Sequence, residues 1–307
     1  MIRSSSCRQD KLWLLASLLI LAFIVFMNSH YENTFPSLTS SVAGDFSCLV
    51  THTSLLHTAF AKYGLPARQR LVNGLQKSDL GTRDTVFDDV VVSLPLPESM
   101  IRRGGSEGMK TMVKAELIFS NHNCTAYAAG VANDYTYELE VAKFCVVHAF
   151  DCTIDPPSDS ENLHFHQVCL GQRSSIHKSQ KYGGQRHQNV REDLIFMSLN
   201  TTMHKLGHTE GVSIMKFDVE GSEWDLFENE FFQADSFMKN RLPHQLQFEL
   251  HTQWAKPEFV PSQIVEGKNK HKVNELFLRL FDLGYRVISK IISKGDPACA
   301  EFSLVRM

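Results

Sequence analysis

The run Lys216-Phe217-Asp218-Val219-Glu220-Gly221-Ser222-Glu223-Trp224 decides how this chain is read. Apolar residues at 212–215 lead into it and predict a buried strand. The strand ends in two acids on alternate positions, then a glycine and the start of a polar helix. In a doubly wound α/β sheet, ligands sit outside the carboxyl ends of strands. Asp218 and Glu220 therefore stand where a cofactor or substrate would lie. The alternative is a strand end that happens to be acidic, since a short acidic motif specifies little by itself.

Outward from this run, strands and helices alternate. Strands are expected at 125–129, 146–150, 163–170, 212–218 and 245–251, and helices at 135–144, 193–206 and 224–232. Val273, Leu276, Phe277, Leu280 and Phe281 recur at i, i+3, i+4, i+7, i+8 and predict an amphipathic helix, which Gly284 ends. Two closing strands, 285–292 and 301–305, flank a loop with Gly295 and Pro297, as in a hairpin. The expectation is an α/β fold: a Rossmann-like, mostly parallel sheet with helices on both faces and an antiparallel edge strand. Toward the N-terminus, 54–62 and 66–77 read as helices. Pro95, Pro97 and Gly104-Gly105 mark a loop.

The chain has 307 residues, 43% hydrophobic and 21% charged, ordinary for a globular protein with a sizeable core. A formal net charge of -3 argues against a nucleic-acid partner, which usually meets a basic excess. Residues 12–27 are apolar and uncharged, and as a helix would span ~24 Å. That suits a thin internal bilayer. Arg3, Arg8 and Lys11 precede the run, which places the N-terminus in the cytosol and the rest in the lumen. A cleaved signal peptide needs small residues at the exit; Phe26-Met27-Asn28-Ser29-His30 offers a poor site. After the run come Cys48, Cys124, Cys145, Cys152, Cys169 and Cys299, an even set compatible with disulfides. Cys124 and Cys145 precede neighbouring strands at one end of the sheet, although parallel neighbours seldom offer disulfide geometry. Buried free thiols are the alternative. Asn123-Cys124-Thr125 and Asn200-Thr201-Thr202 are glycosylation acceptors, the second in a polar stretch.

The first strand runs into Ala128-Ala129-Gly130-Val131-Ala132-Asn133-Asp134 and a helix. A glycine at this turn lets a backbone approach a ligand closely. The following helix start offers free N–H groups. Asp151 closes the next strand, at the spacing where an acid binds a ribose diol in nucleotide folds. As a strand end it should stand clear of the packed core. A solvated end or a cap is its alternative role. Glu249 and His251 end the fifth strand. His251 is a candidate general base, since imidazole titrates near neutral pH. Asp218 with Glu249 could instead hold a divalent cation through oxygen ligands. A structural role is the simpler reading of both Glu249 and His251. His164 and His166 share one strand face and read as surface or packing residues.

Three segments occur in this order: Cys124 to Asp134, His148-Ala149-Phe150-Asp151, and Met215 to Trp224. Together they resemble the FkbM-type class I methyltransferases, and among them the membrane-anchored group called methyltransferase-like protein 24. The likeness runs from about Gly105 to the C-terminus, including Leu283-Gly284-Tyr285 and Cys299-Ala300-Glu301-Phe302-Ser303. It implies a seven-stranded sheet that binds S-adenosylmethionine. By position, Ala129, Gly130 and Ala132 would approach the methionine part, Asp151 the ribose, and Asp218 the methyl donor. The sequence departs from the pattern in lacking an acid near Ala128 and in having Ala132 where a second glycine is common. The implied layout is a cytosolic tail 1–11, a transmembrane signal anchor 12–27, a stem 28–50, an N-terminal helical extension 51–111 and a methyltransferase-like domain 112–307. The expected protein is a lumenal, O-directed methyltransferase in the Golgi or endoplasmic reticulum, acting on a glycan, lipid or small molecule. A metal-dependent type II glycosyltransferase is one alternative, and a non-catalytic lumenal binding module the other. Expressed in a eukaryotic host, the full chain should shift in gel mobility on N-glycosidase treatment, and Asn200→Gln should remove most of that shift.

Overall fold

Apolar side chains on alternate positions build this fold, because a strand buries one face with every second residue. The computed structural model describes residues 60–77, 79–94, 100–103, 110–113, 124–132, 134–155, 161–171, 195–233, 241–256, 262 and 264–307. The chain divides into Met1–His57 and Thr58–Met307, and every described residue lies in the second unit. The apolar run 12–27, the stem and Asn123 lie outside the described residues, as does most of the helix expected at 54–62. Among the described residues, no helix is long and apolar enough to cross a membrane.

The strands are β1 (Met100–Arg103), β2 (Lys110–Val113), β3 (Thr125–Ala129), β4 (Val146–Phe150), β5 (Leu163–His166) and β6 (Cys169–Leu170). They continue with β7 (Phe196–Met197), β8 (Ile214–Phe217), β9 (Gln245–His251), β10 (Tyr285–Ile292) and β11 (Cys299–Arg306). The helices are α1 (Leu65–Gln76), α2 (Thr136–Val141), α3 (Leu199–Leu206), α4 (Glu223–Leu226) and α5 (Lys270–Asp282). The 7-stranded sheet has the order β10-β11-β9-β8-β3-β4-β5. The chain leaves β3 toward β4 and β5, then returns to the other side of β3 for β8 and β9. That reversal puts a topological switch point between β3 and β8, where such sheets open a ligand crevice.

Several expectations are corrected. The antiparallel strand is not at the edge: β11 runs antiparallel to both β9 and β10 and lies between them. The strand expected at 163–170 is two, because His166 O accepts both Asp151 N and Val168 N and turns the chain. Helix 193–206 begins only at Leu199, where Ser198 Oγ accepts from Thr201 N at 3.1 Å. Helix 224–232 is the short α4 followed by one π-helical turn, Phe227–Phe231. Strand β1 lies where Pro95 to Gly105 suggested a loop, and β2 spans the expected end of the helical extension at 111.

One face of the sheet is apolar from β10 across to Phe150 of β4, and histidines take over toward the β4–β5 edge. Tyr127, Phe150, Met215, Phe217, Leu246, Phe248, Phe302 and Leu304 pack there with Leu71 of α1 and Val273, Leu276, Phe277 and Leu280 of α5. The other face is divided. Over β3 and β4 it is apolar, with Ala126, Ala128, Val147 and Ala149 against Tyr137 and Val141 of α2. Over β9 and β11 it is polar yet buried: Gln245, Gln247, Glu301 and Ser303. Strand β2 lies across these residues, and their side chains act as its second pairing partner. Val113 N donates to Gln245 Oε1 at 2.9 Å, Gln245 Nε2 to Val113 O at 3.1 Å, Gln247 Nε2 to Thr111 O at 3.2 Å and Thr111 N to Ser303 Oγ at 3.1 Å. A buried strand needs such partners, since unmade backbone hydrogen bonds cost free energy.

Disulfides Cys124–Cys145 and Cys152–Cys169 tie the two ends of β4 to neighbouring segments. The first is the pair that strand order suggested. Cys299 is a buried free thiol.

At the β4–β5 edge, His164 and His166 are packing residues, one of the two roles expected of them. Both rings lie against His148, which also meets His208. His148 Nδ1 and His166 Nε2 are 2.9 Å apart, and Tyr127 Oη is 2.7 Å from His208 Nδ1. Burial, then the charges of His208, His166 and His164, pull the His148 pKa down to about 3. The fold thus holds His148 neutral, whereas the unfolded chain protonates it near pH 6.5. Its stabilising contribution is complete above that pH and is lost as pH falls from there toward 3. In urea unfolding at pH 7.5 and 5.5, His148→Phe should gain stability relative to the wild-type chain at the lower pH, because it removes the group that resists protonation there.

Candidate functional site

Two strand-end turns interlock at the switch point. After β3, Gly130 adopts φ 71° and Gly130 N donates to Phe150 O at 3.0 Å. After β8, Asp218 N donates to Ala129 O at 3.0 Å. A Cβ on Gly130 would stand 1.6 Å from the Asp218 carbonyl oxygen. The glycine was expected to admit a ligand; what comes so close is the backbone of the acidic turn. Ala132 has φ 51°, a left-handed conformation that favours glycine. That is the position where the sequence suggested a second glycine.

Asp151 ends β4 beside this turn, as expected, but it is not clear of the core: it is 7% exposed. Its Oδ2 accepts from Val131 N at 3.1 Å and Ala132 N at 2.9 Å. Its Oδ1 accepts from Thr153 N at 2.8 Å and Thr153 Oγ1 at 2.6 Å. The carboxylate therefore clamps the left-handed turn, and ribose hydroxyls would share it with these donors.

The acidic turn holds Glu220 at φ 51°. Glu223 Oε1 accepts from Val219 N at 2.8 Å, closing the turn onto α4. Trp224 Nε1 donates to His251 O at 2.7 Å and docks α4 against the end of β9. His251 is buried among carboxylates: Nδ1 lies 3.3 Å from Glu223, and Nε2 lies 3.5 Å from Glu220 and 3.8 Å from Glu249. Burial opposes its charge, but Glu223 first and then Glu249 outweigh it, and the pKa rises well above the usual histidine value. Glu223, the strongest of the opposing influences, thus favours its charged form.

The residue that sequence reasoning missed is Lys110, on β2. It is 1% exposed, and its Nζ is paired with Glu301 and lies 3.6 Å from Asp218. Burial would strip its proton, but Glu301, Asp218 and Glu249 hold it charged. Lys110, then Lys216 and His251, keep Asp218 ionised against the cost of burial. Glu249 moves the other way: burial and the charge of Asp218 raise its pKa well above the carboxylate range. As a neutral acid, Glu249 can donate to Asp218.

Oxygens of Asp218, Glu249 and Glu301 lie close enough together to hold a metal ion. Lys110 Nζ, paired with Glu301 and 3.6 Å from Asp218, sits against this set and competes with a cation for it. Glu249, His251 and Cys299 also converge.

Lys216 Nζ donates to Gly130 O at 2.6 Å and lies 3.5 Å from Glu138, a fully buried carboxylate. Six acids, Asp218, Glu220, Glu223, Glu249, Glu301 and Glu138, thus surround Lys110, Lys216 and His251, and burial makes Glu138, Glu220, Glu249 and Glu301 hold protons more readily than free carboxylates. Away from this site, Asn200 is exposed on α3, while the sequon's Thr202 hydroxyl donates to Ser198 O at 2.9 Å.

A family profile described as "Methyltransferase domain" matches residues 98–306. The chain belongs to this methyltransferase family. The match takes in β1 and β2, so Lys110 is part of the methyltransferase domain. Among solved structures, the chain is similar to a SAM-dependent methyltransferase from Aquifex aeolicus, with 12% identity, 61% of this chain and 85% of that one covered, and a TM-score of 0.31. It is also similar to the Methanococcus jannaschii fibrillarin pre-rRNA processing protein, with 12% identity, coverage of 61% and 67%, and a TM-score of 0.30. A search of curated proteins finds no match.

In this methyltransferase domain, removing Lys110 leaves buried carboxylates unpaired. Lys110→Met should cost about 3–5 kcal/mol in urea unfolding. Adding Glu301→Gln should recover part of that loss, as coupled neighbours do.

Proposed function

We propose that this chain is an S-adenosylmethionine-dependent, O-directed methyltransferase, anchored in a secretory-pathway membrane with its domain in the lumen. The observation that carries this reading is the interlocked pair of turns at the switch point, with the clamped Asp151 on one side and the ionised Asp218 on the other. A sulfonium cofactor is cationic, and the ionised Asp218 at the strand end suits it. The residues that would hold it are Ala129, Gly130 and Ala132 at the first turn, Asp151 at the ribose and Asp218 near the methyl donor. When bound, the cofactor supplies an electrophilic methyl group.

This chain's own residues supply position and field. Asp218 is kept ionised by Lys110 and Lys216, so its charge is in place before any ligand arrives. Such preorganised charge needs no rearrangement during reaction. His251 ties the end of β9 to the acidic turn through Glu220 and Glu223. The two disulfides and the basic residues before the apolar run 12–27 favour an oxidising lumen over the cytosol. A lumenal site suits a glycan, lipid or secreted small-molecule acceptor. The finer placement among FkbM-type enzymes and methyltransferase-like protein 24 rests on the quoted motifs. Metal-dependent glycosyl transfer has no support in a carboxylate set closed by a lysine.

Calorimetry on the purified full chain tests this reading. S-adenosylmethionine and its demethylated product should both bind, whereas a nucleotide sugar with manganese should not raise the thermal midpoint. Asp151→Ala should weaken cofactor binding tenfold or more, at about 1.5–3 kcal/mol per charged hydrogen bond lost. Absence of binding by either cofactor form at millimolar concentration would leave the non-catalytic module as the better reading.

A further inference from the structure

The register of β9 on β11 gathers an unlike set of side chains. His251 lies opposite Cys299, and Glu249 lies opposite Glu301. Residues two apart share a sheet face, and opposed residues stand side by side. The end of this ladder therefore brings together a carboxylate, an imidazole and a thiol. One donor atom from each of Glu249, His251 and Cys299 lies within 4.8 Å of the other two. We propose that these three side chains bind a divalent transition-metal cation of the zinc type. The site follows from the ladder and does not depend on the methyltransferase reading.

The donor chemistry selects the ion. Thiolate, imidazole and carboxylate are the ligands of zinc, a borderline-soft cation. Magnesium and calcium take oxygen ligands. The adjoining oxygen set has Lys110 against it, and that ammonium pairs with Asp218 and Glu301. Those are the two members that the mixed set does not use.

The buried donors are uncommitted. Cys299 is a free thiol, whereas the other described cysteines form disulfides. His251 is buried as deeply, and its Nδ1 makes no hydrogen bond. A buried polar atom without a partner calls for an explanation, and a bound ion is one. Whichever ring nitrogen takes the metal, the other has a carboxylate beside it: Glu223 is 3.3 Å from Nδ1, and Glu220 is 3.5 Å from Nε2. A carboxylate behind a ligating histidine fixes the ring and raises its basicity. Glu249, 20% exposed, gives the ion its way in from solvent. The metal binds deprotonated ligands, so it displaces the protons that Glu249 and the thiol otherwise hold.

Three protein donors leave a coordination place open, as in catalytic rather than structural zinc sites. Strand order puts that place beyond β8, on the side away from β3 and the Asp151 turn. With the cofactor at Asp151 and Asp218, this is the acceptor's side, and the ion holds an acceptor oxygen there. That role, unlike the site itself, rests on the methyltransferase reading.

Cobalt(II), a coloured substitute for zinc, tests the site in the full chain with its disulfides intact. After treatment with a chelator, the chain is titrated with cobalt(II) chloride and then with zinc chloride. Cobalt(II) should produce a thiolate-to-metal charge-transfer absorption, zinc should bleach it, and magnesium should not. Cys299→Ser should abolish the band and weaken zinc binding in calorimetry at least about tenfold, a loss that even an outer-shell partner can cause. Glu249→Gln should weaken zinc binding to a similar degree while the band persists. His148→Phe, in the separate histidine cluster, should change neither. The proposal is overturned by a wild-type chain without the charge-transfer band, or by a band that survives in Cys299→Ser. Should Cys299→Ser lose its circular dichroism, Glu249→Gln decides, and zinc affinity unchanged in that variant overturns the proposal as well. S-adenosylmethionine binding, measured on the same samples, separates the two readings: its absence beside an intact cobalt band removes the methyltransferase reading and leaves the metal site.

Discussion

A buried ammonium organises this molecule. Lys110 lies under the sheet face with no solvent, which is tolerable only because Glu301 and Asp218 meet it there. The pairing has consequences in both directions. It requires β2 to lie over β9 and β11, and that explains why Gln245, Gln247 and Ser303 are polar on a buried face. It also fixes the charge on Asp218, which in turn leaves Glu249 neutral. The carboxylates at the carboxyl ends of β8 and β9 therefore have different protonation states, although all are acids in one cluster.

The interlocked turns are the second constraint. Strand order brings β3 and β8 together as neighbours, and the first residue after each strand meets the other turn. Gly130 has no room for a side chain because the Asp218 carbonyl fills that space. Lys216 then reaches across to Gly130 O, and Asp151 holds the next two backbone N–H groups. The site is thus built from backbone held by charged side chains. Its charged groups restrain each other before any ligand is present.

Much of this was legible in the sequence. Apolar runs located β3, β4, β8 and β9, and the periodicity from Val273 to Phe281 located α5. Asp151 and Asp218 were recognisable by position at strand ends. What each carboxylate does was not legible, because hydrogen-bond partners depend on which turn lies opposite. The alternation Gln245-Leu246-Gln247-Phe248-Glu249-Leu250-His251 ordinarily signals a strand with one wet face, yet Gln245 and Gln247 are fully buried. Their cover, β2, is four residues without alternation, and its partners on one side are side chains rather than a strand. No local pattern announces such pairing. Lys110 was invisible for the same reason: a lysine just after Gly104, Gly105 and Gly108 reads as surface. His251 was found, but its charged form is favoured by Glu223 and Glu249, which only the fold brings together.

The position of β11 bears on how the chain assembles during synthesis. β11 follows β10 in the chain but lies between β10 and β9. As the polypeptide emerges, β10 has no strand to join, and the exposed edge of β9 stays open beside it. Glu301, the closest counter-charge of Lys110, arrives on this same late strand. Until β11 inserts, the ammonium on β2 lacks its main partner and the unpaired edge can bind other chains. Sheet completion and charge neutralisation are thus one event, and a nascent chain stalled before it would present both an aggregation-prone edge and an unstable polar interior to its surroundings.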